Sequence, residues 1–130
     1  MPAELRVLVV DDHPVNRLVM GELLSHLGCV VVLAEDGARA LSTASVDRFD
    51  LICLDRNMPG LSGDEVAERL PGEQLVLAWS TDVSDLPKRY NGTLSKPVTL
   101  PALQSALERA QAWSAGVSLR QKRFPVLRRA

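Results

Sequence analysis

"VLVVDDHPVNR", residues 7–17, runs four apolar residues straight into two adjacent carboxylates, then His-Pro and an Asn-Arg pair. A short apolar run rich in β-branched residues reads as a buried strand, here residues 5–10. Pro14 suits the first turn of a helix, where its missing N–H costs nothing. Asp11 and Asp12 at the strand end repel each other unless something positive lies between them. A buried strand that drives into such a pair ends at a site.

Outward from that stretch the same grammar repeats. Val15, Leu18, Val19, Leu23 and Leu27 recur at helical spacing and read as the core face of a helix that Gly28 closes. Residues 29–33 form a second apolar run, and 36–44 a short helix with Asp36 near its start. A third run, 50–55, again ends on a carboxylate, Asp55. Ser62 is placed to cap a helix over 63–70, which Pro71-Gly72 breaks. Residues 74–80 are a fourth strand and 92–95 a short fifth. Over 100–113, Leu100, Leu103, Leu107 and Ala110 share one helical face behind Thr99 as cap. Strands that are apolar throughout, alternating with helices, indicate a parallel sheet covered on both faces: a doubly wound α/β fold with no internal repeat.

The bulk numbers agree with one such domain. The chain has 130 residues, 46% apolar and 24% charged, ordinary for a globular protein. No run approaches the ~18 apolar residues of a membrane span, and the N-terminus lacks a signal-peptide pattern, so the expected location is the cytoplasm, with no membrane contact by this domain. Cys29 and Cys53 lie in apolar runs without metal-ligand spacing and read as buried reduced thiols. The net charge of −1 hides an asymmetry, because residues 120–130 carry five basic and no acidic side chains. The rest sets 10 basic against 16 acidic residues, which argues against nucleic-acid binding. The domain is therefore read as 1–116, with 117–130 a solvated basic tail.

In doubly wound folds ligands bind beyond the C-terminal strand ends. There the chain places Asp11-Asp12, Asp55, Ser80-Thr81 and Lys96-Pro97. Three clustered carboxylates call for a hard divalent cation, and Mg²⁺ suits a site that also leaves room for waters and phosphate oxygens. One carboxylate can attack phosphorus to give an aspartyl phosphate, while an ammonium and a hydroxyl meet the transferred oxygens. Asp55, alone on its strand, is the nucleophile of choice; Asp11 and Asp12 form a pair suited to the metal.

Taken together, "VLVVDDHPVNR", "LICLDRNMPGLSG", "LVLAWST" and "TLSKPV" resemble, in order and over about residues 5–115, the receiver domain of two-component response regulators. "DDHPVNR" with "LSKPV" is most similar to receivers of hybrid sensor histidine kinases. The resemblance implies a flavodoxin-like strand order 2-1-3-4-5 and makes Asp55 the phosphoacceptor. It implies that Asp11, Asp12, Asp55 and the backbone carbonyl of Asn57 hold Mg²⁺. It also implies that Ser80 is the switch hydroxyl, that Lys96 binds phosphate, and that Pro97 follows a cis bond. Implied partners are a histidine kinase or a histidine phosphotransfer domain, with the exposed side of the first helix as a docking face for a helical bundle. The isolated domain would be no enzyme beyond gaining and losing its own phosphoryl group.

Three departures shape the expectation of output. Only fifteen residues separate Ser80 from Lys96, too few for a packed helix with two loops, so the fourth helix is predicted missing or cut to one turn. A helix begun at Ser84 or Asp85 would tolerate Pro87 only in its first turn. Thr93 stands where receivers carry an aromatic switch residue, with Tyr90 the nearest aromatic and out of register. Thr81 replaces a small residue, and Arg56 beside the acceptor reads as a solvated side chain. His13 reads as a loop residue, His26 as a surface partner of Glu22, and Trp79 and Trp113 as core or rim. The expected role is a phosphorelay intermediate that passes phosphate from a kinase to a phosphotransfer histidine. The alternative is a degenerate receiver acting as a phosphorylation-independent interaction module. A metal-dependent phosphohydrolase of the haloacid-dehalogenase kind would need Asp-x-Asp after the first strand, which this chain lacks.

Overall fold

Each apolar run pairs with a neighbour because a buried strand must satisfy its backbone N–H and C=O groups. A computed structural model describes the backbone of residues 4–129 and the side chains of 4–116. The elements are β1 (Arg6–Val10), α1 (Pro14–His26), β2 (Val30–Ala34), α2 (Gly37–Val46), β3 (Leu51–Leu54), α3 (Gly63–Arg69), β4 (Leu75–Trp79), β5 (Gly92–Leu94) and α4 (Leu100–Arg129). All strand pairs are parallel, in the order β2-β1-β3-β4-β5. This is the flavodoxin-like order expected.

Alternation along the strands splits the core in two. Leu8, Val10, Ile52, Leu54, Val76 and Ala78 face α2 and α3, where they meet Ala40, Ala44, Val66 and Ala67. Val7, Val9, Leu51, Cys53, Leu75 and Leu77 face the other way, onto Met20 and Leu24 of α1 and Leu103, Ala106 and Ala110 of α4. Each fully buried Leu or Val contributes about 1.5–3 kcal/mol relative to exposure. Burial pushes the Cys53 thiol up to about 12, and both cysteines are free.

The caps fall where the residue types put them. Asp36 accepts the Arg39 N–H, and Ser62 and Glu65 close a reciprocal capping box on α3. Gly28 takes the left-handed conformation after α1 with φ 88°, and Thr99 accepts from the Ala102 N–H at 3.3 Å.

Two helices differ from the sequence pattern. The core stripe of α1 is Met20, Gly21 and Leu24, whereas Val15, Leu18 and Val19 lie on the opposite side, 60%, 58% and 52% exposed. Gly21 explains the choice of face: a Cβ there would sit 3.2 Å from Leu33 of β2, so the helix turns its smallest residue to the sheet. The last helix runs Leu100–Arg129, well past the 100–113 that the pattern suggests. The side chains of 117–130, the expected basic tail, lie outside the described residues. Among the described residues, no helix is long and apolar enough to cross a membrane.

No helix forms between β4 and β5. Leu86 and Tyr90 reach back from the crossover to cover the face that such a helix would cover. Thr93, in register with Ala78 on that face, is exposed. A hydroxyl-bearing residue suits an edge strand left open to water.

Candidate functional site

The sheet ladder runs one residue past the strands and so fixes the backbones of the strand-end polar residues. The Asp11 N–H donates to Ala34, the Asp55 N–H to Val10 and the Ser80 N–H to Leu94, all at 3.0–3.2 Å. Arg17, which ends the opening stretch, donates to the Asp11 carbonyl at 2.7 Å.

Three carboxylates converge on this edge. One oxygen each from Asp11, Asp12 and Asp55 lies within 4.8 Å of the others, Asp11 and Asp55 buried and Asp12 exposed. Lys96 enters from the end of β5 and bridges two of them, with Nζ 2.8 Å from Asp11 Oδ2 and 3.4 Å from Asp55 Oδ1. The Asn57 N–H also donates to Asp55 Oδ1, at 3.1 Å. Burial holds the Asp55 carboxyl above its ordinary value; the Asn57 amide and the Lys96 ammonium pull it back, and Asp11 adds to the rise. Three acidic oxygens this close, two of them buried, fit a small oxygen-seeking dication.

Ser80 is buried, and its Oγ accepts the Asp82 N–H at 3.1 Å. The Lys96-Pro97 bond is cis. Gly63 opens α3 directly against the end of β3: a Cβ there would run into the Asp55 carbonyl oxygen. His13 is exposed, and its backbone N–H, not its ring, reaches Asp11 at 2.8 Å. Thr81 and His26 are exposed as well.

Arg56 overturns the expectation of a solvated side chain. It is 11% exposed and makes a two-pronged pair with Asp64 at 3.0 and 3.1 Å. Its Nη1 donates to the carbonyls of Asp82 and Ser84, both at 2.9 Å, so it holds the start of the crossover to α3. The Tyr90 hydroxyl donates to Asp64 Oδ1 at 2.9 Å. Arg56 first, and Tyr90 after it, hold Asp64 below the usual carboxylate range. Burial and this bond push the Tyr90 hydroxyl far above its ordinary value. No helix starts at Ser84 or Asp85. Instead, Ser84 N and Oγ both donate to Asp82 Oδ1, and Asp85 turns the chain with φ 47°.

The profile of the response regulator receiver domain matches residues 7–108. The chain belongs to the response regulator receiver family. It is 35% identical over 116 residues to the sensor protein EvgS of Escherichia coli K12, covering 82% of this chain and 10% of that much longer protein. Among solved structures, it is similar to the chemotaxis protein CheY4 of Vibrio cholerae, with TM-score 0.76 and 31% identity over 83% of this chain and 99% of that one. A comparable likeness joins it to the receiver domain of sensor histidine kinase PA1611 from Pseudomonas aeruginosa PAO1, which was crystallised with magnesium in its active-site cleft. That match has TM-score 0.76 and 27% identity, covering 85% of this chain and 99% of that one.

Two features of this receiver lay outside the reading of its sequence. The Arg56–Asp64–Tyr90 cluster joins positions up to 34 apart with no local signature. Trp79, read only as core or rim, is buried with its ring under the Lys96 ammonium, 4.7 Å from the centroid. Its adjacency to Ser80 at a strand end was the available signal.

Proposed function

We propose that this receiver accepts a phosphoryl group on Asp55 with the help of Mg²⁺, taking it from the phosphohistidine of a histidine kinase and passing it to a phosphotransfer histidine. The observation that carries the reading is the trio Asp11, Asp12 and Asp55 with oxygens within 4.8 Å, bridged by Lys96. Side chains of Asp11, Asp12 and Asp55, with the Asn57 carbonyl, would hold the cation, which supplies charge neutralisation for the incoming phosphoryl oxygens. The magnesium in the PA1611 receiver supports that choice.

The roles of this chain's own groups follow from their bonds. The Asn57 N–H and the nearest approach of Lys96 both fall on Asp55 Oδ1, which favours Oδ2 as the attacking oxygen. An Oδ2–P bond forms as the donor's N–P bond breaks, and the imidazole leaves with the electron pair. Lys96 shifts its ammonium from the carboxylates to the phosphoryl oxygens. Ser80 already accepts from the Asp82 N–H, so its own O–H is the group left to donate to them. The isolated domain catalyses only its own gain and loss of phosphate. The exposed Val15, Leu18 and Val19 of α1 offer an apolar face to a partner helical bundle.

Labelling with acetyl phosphate or a phosphohistidine donor tests the reading. Wild type should label only with Mg²⁺, and Asp55→Asn should lose at least nine-tenths of the label, on the order expected for removal of a nucleophile. Persistent labelling of the variant would sink the assignment. The helix-less crossover and the exposed Thr93 favour a second reading, an interaction module indifferent to phosphate. It predicts equal partner affinity with and without Mg²⁺ and beryllofluoride.

A further inference from the structure

Lys96 has three neighbours at the acceptor: Asp11 at 2.8 Å, Asp55 at 3.4 Å, and the face of Trp79 at 4.7 Å. The two carboxylates are also the oxygens a divalent cation would take. A dication there competes with the ammonium for the same negative charge. The indole does not enter that competition, because it attracts an ammonium through the quadrupole of its face.

The two side chains differ in freedom. Trp79 is 4% exposed and packs in one cluster with Leu77, Leu94, Met20 and Leu103, so the ring is fixed. The Lys96 side chain is 18% exposed, and a lysine stem recovers much rotamer entropy when its head escapes to water. Without the ring, occupation of the carboxylates would release the ammonium to solvent before a phosphoryl group arrived.

We infer that Trp79 is a positioning residue whose indole face keeps the Lys96 ammonium at Asp55 while a cation occupies the carboxylates. The inference rests on the phosphoacceptor reading and adds a residue to it. The indole N–H is buried and has no hydrogen-bond partner among the described residues. Trp79→Phe therefore removes no hydrogen bond and keeps a π face, whereas Trp79→Leu keeps apolar packing and removes the face.

The test titrates wild type, Trp79→Phe and Trp79→Leu with Mg²⁺, then with beryllofluoride at saturating Mg²⁺, by calorimetry. For Trp79→Leu, beryllofluoride affinity should fall about two- to five-fold, the equivalent of ~0.5–1 kcal/mol for a cation over a ring. Its Mg²⁺ affinity should stay level or tighten, and Trp79→Phe should keep most of the beryllofluoride affinity. In wild type the Lys96 ε-methylene protons should show an upfield ring-current shift that survives Mg²⁺ addition. Equal beryllofluoride affinity in wild type and Trp79→Leu would overturn the inference. Equal losses in both variants, or parallel losses of Mg²⁺ and beryllofluoride affinity, would do the same. So would a Lys96 shift that collapses with Mg²⁺. Failure of wild type to bind beryllofluoride with Mg²⁺ would instead sink the phosphoacceptor reading, and this inference with it.

Discussion

The acidic edge and the crossover between Ser80 and Asn91 lie side by side but are held by different means. At the edge, Asp11, Asp55 and Ser80 continue the sheet ladder, and the Asp11 and Asp55 carboxylates meet because β1 and β3 end side by side. In the crossover the backbone is held by side chains, two from elsewhere and two of its own. Arg56 binds the carbonyls of Asp82 and Ser84. The Asn91 side chain accepts the Val76 N–H at 2.8 Å, and Arg109 from α4 donates to the Asn91 carbonyl at 2.6 Å. Arg89 reaches the carbonyls of Pro71 and Gln74. A secondary-structure element satisfies its own carbonyls; a chain without one needs donors brought to it. Arg56 and Arg109 bring donors to carbonyls that a helix would satisfy for itself, while Arg89 and Asn91 tie the crossover outward to its neighbours.

This contrast can be broken from the crossover side without touching the acidic edge. Tyr90→Ala should have the largest effect, because it empties the space that covers β4 where a helix is absent. A loss of about 3–5 kcal/mol in unfolding free energy is expected for a buried aromatic, read by denaturant titration, with Mg²⁺ affinity of the surviving folded protein within two-fold of wild type. A large Mg²⁺ effect would mean that the two regions are not separable. Arg56→Ala comes next. It leaves two carbonyls without that donor and Asp64 with Tyr90 alone, a cost of about 1–3 kcal/mol, and should raise amide exchange at residues 82–85 before that of β3.

The smallest expected effect carries a pH signature. The Arg56 pair makes Asp64 a stronger acid in the folded chain, so its contribution is full above the ordinary carboxylate value and is lost as pH falls through the lowered one. Asp64→Asn should thus be less stable than wild type at pH 7 by about 1 kcal/mol, discounted for partial exposure. The gap should begin to narrow below about pH 4 and close as the pH falls through the lowered value. A gap that persists in acid would assign the effect to shape rather than charge.

The same contrast explains what could be read in advance. The positions of Asp11, Asp12, Asp55, Ser80 and Lys96 were legible because each lies within two residues of the end of an apolar run, and a parallel sheet brings such positions to one edge. The missing helix was legible from length alone, with fifteen residues between Ser80 and Lys96. Arg56 was misread because its partners, Asp64, Asp82 and Ser84, are fixed only once α3 and the crossover are placed. Leu23 and Leu27 of the expected α1 stripe pack against the core, and the error over the other three came from reading bulk as burial. Val15, Leu18 and Val19 look like a core stripe, but Gly21 marks the line of closest approach, and glycine carries no hydrophobic signal.

Gly63 has a consequence for mapping the site by selection. It contributes no reactive group, yet its α-carbon lies so near the Asp55 peptide that a single methyl would meet the Asp55 carbonyl oxygen. Under the proposed phosphoacceptor role, a saturation library scored for phosphate uptake should rank position 63 beside Asp55 itself. Intolerance at that codon would report the thickness of the wall behind Asp55 rather than any chemistry in front of it.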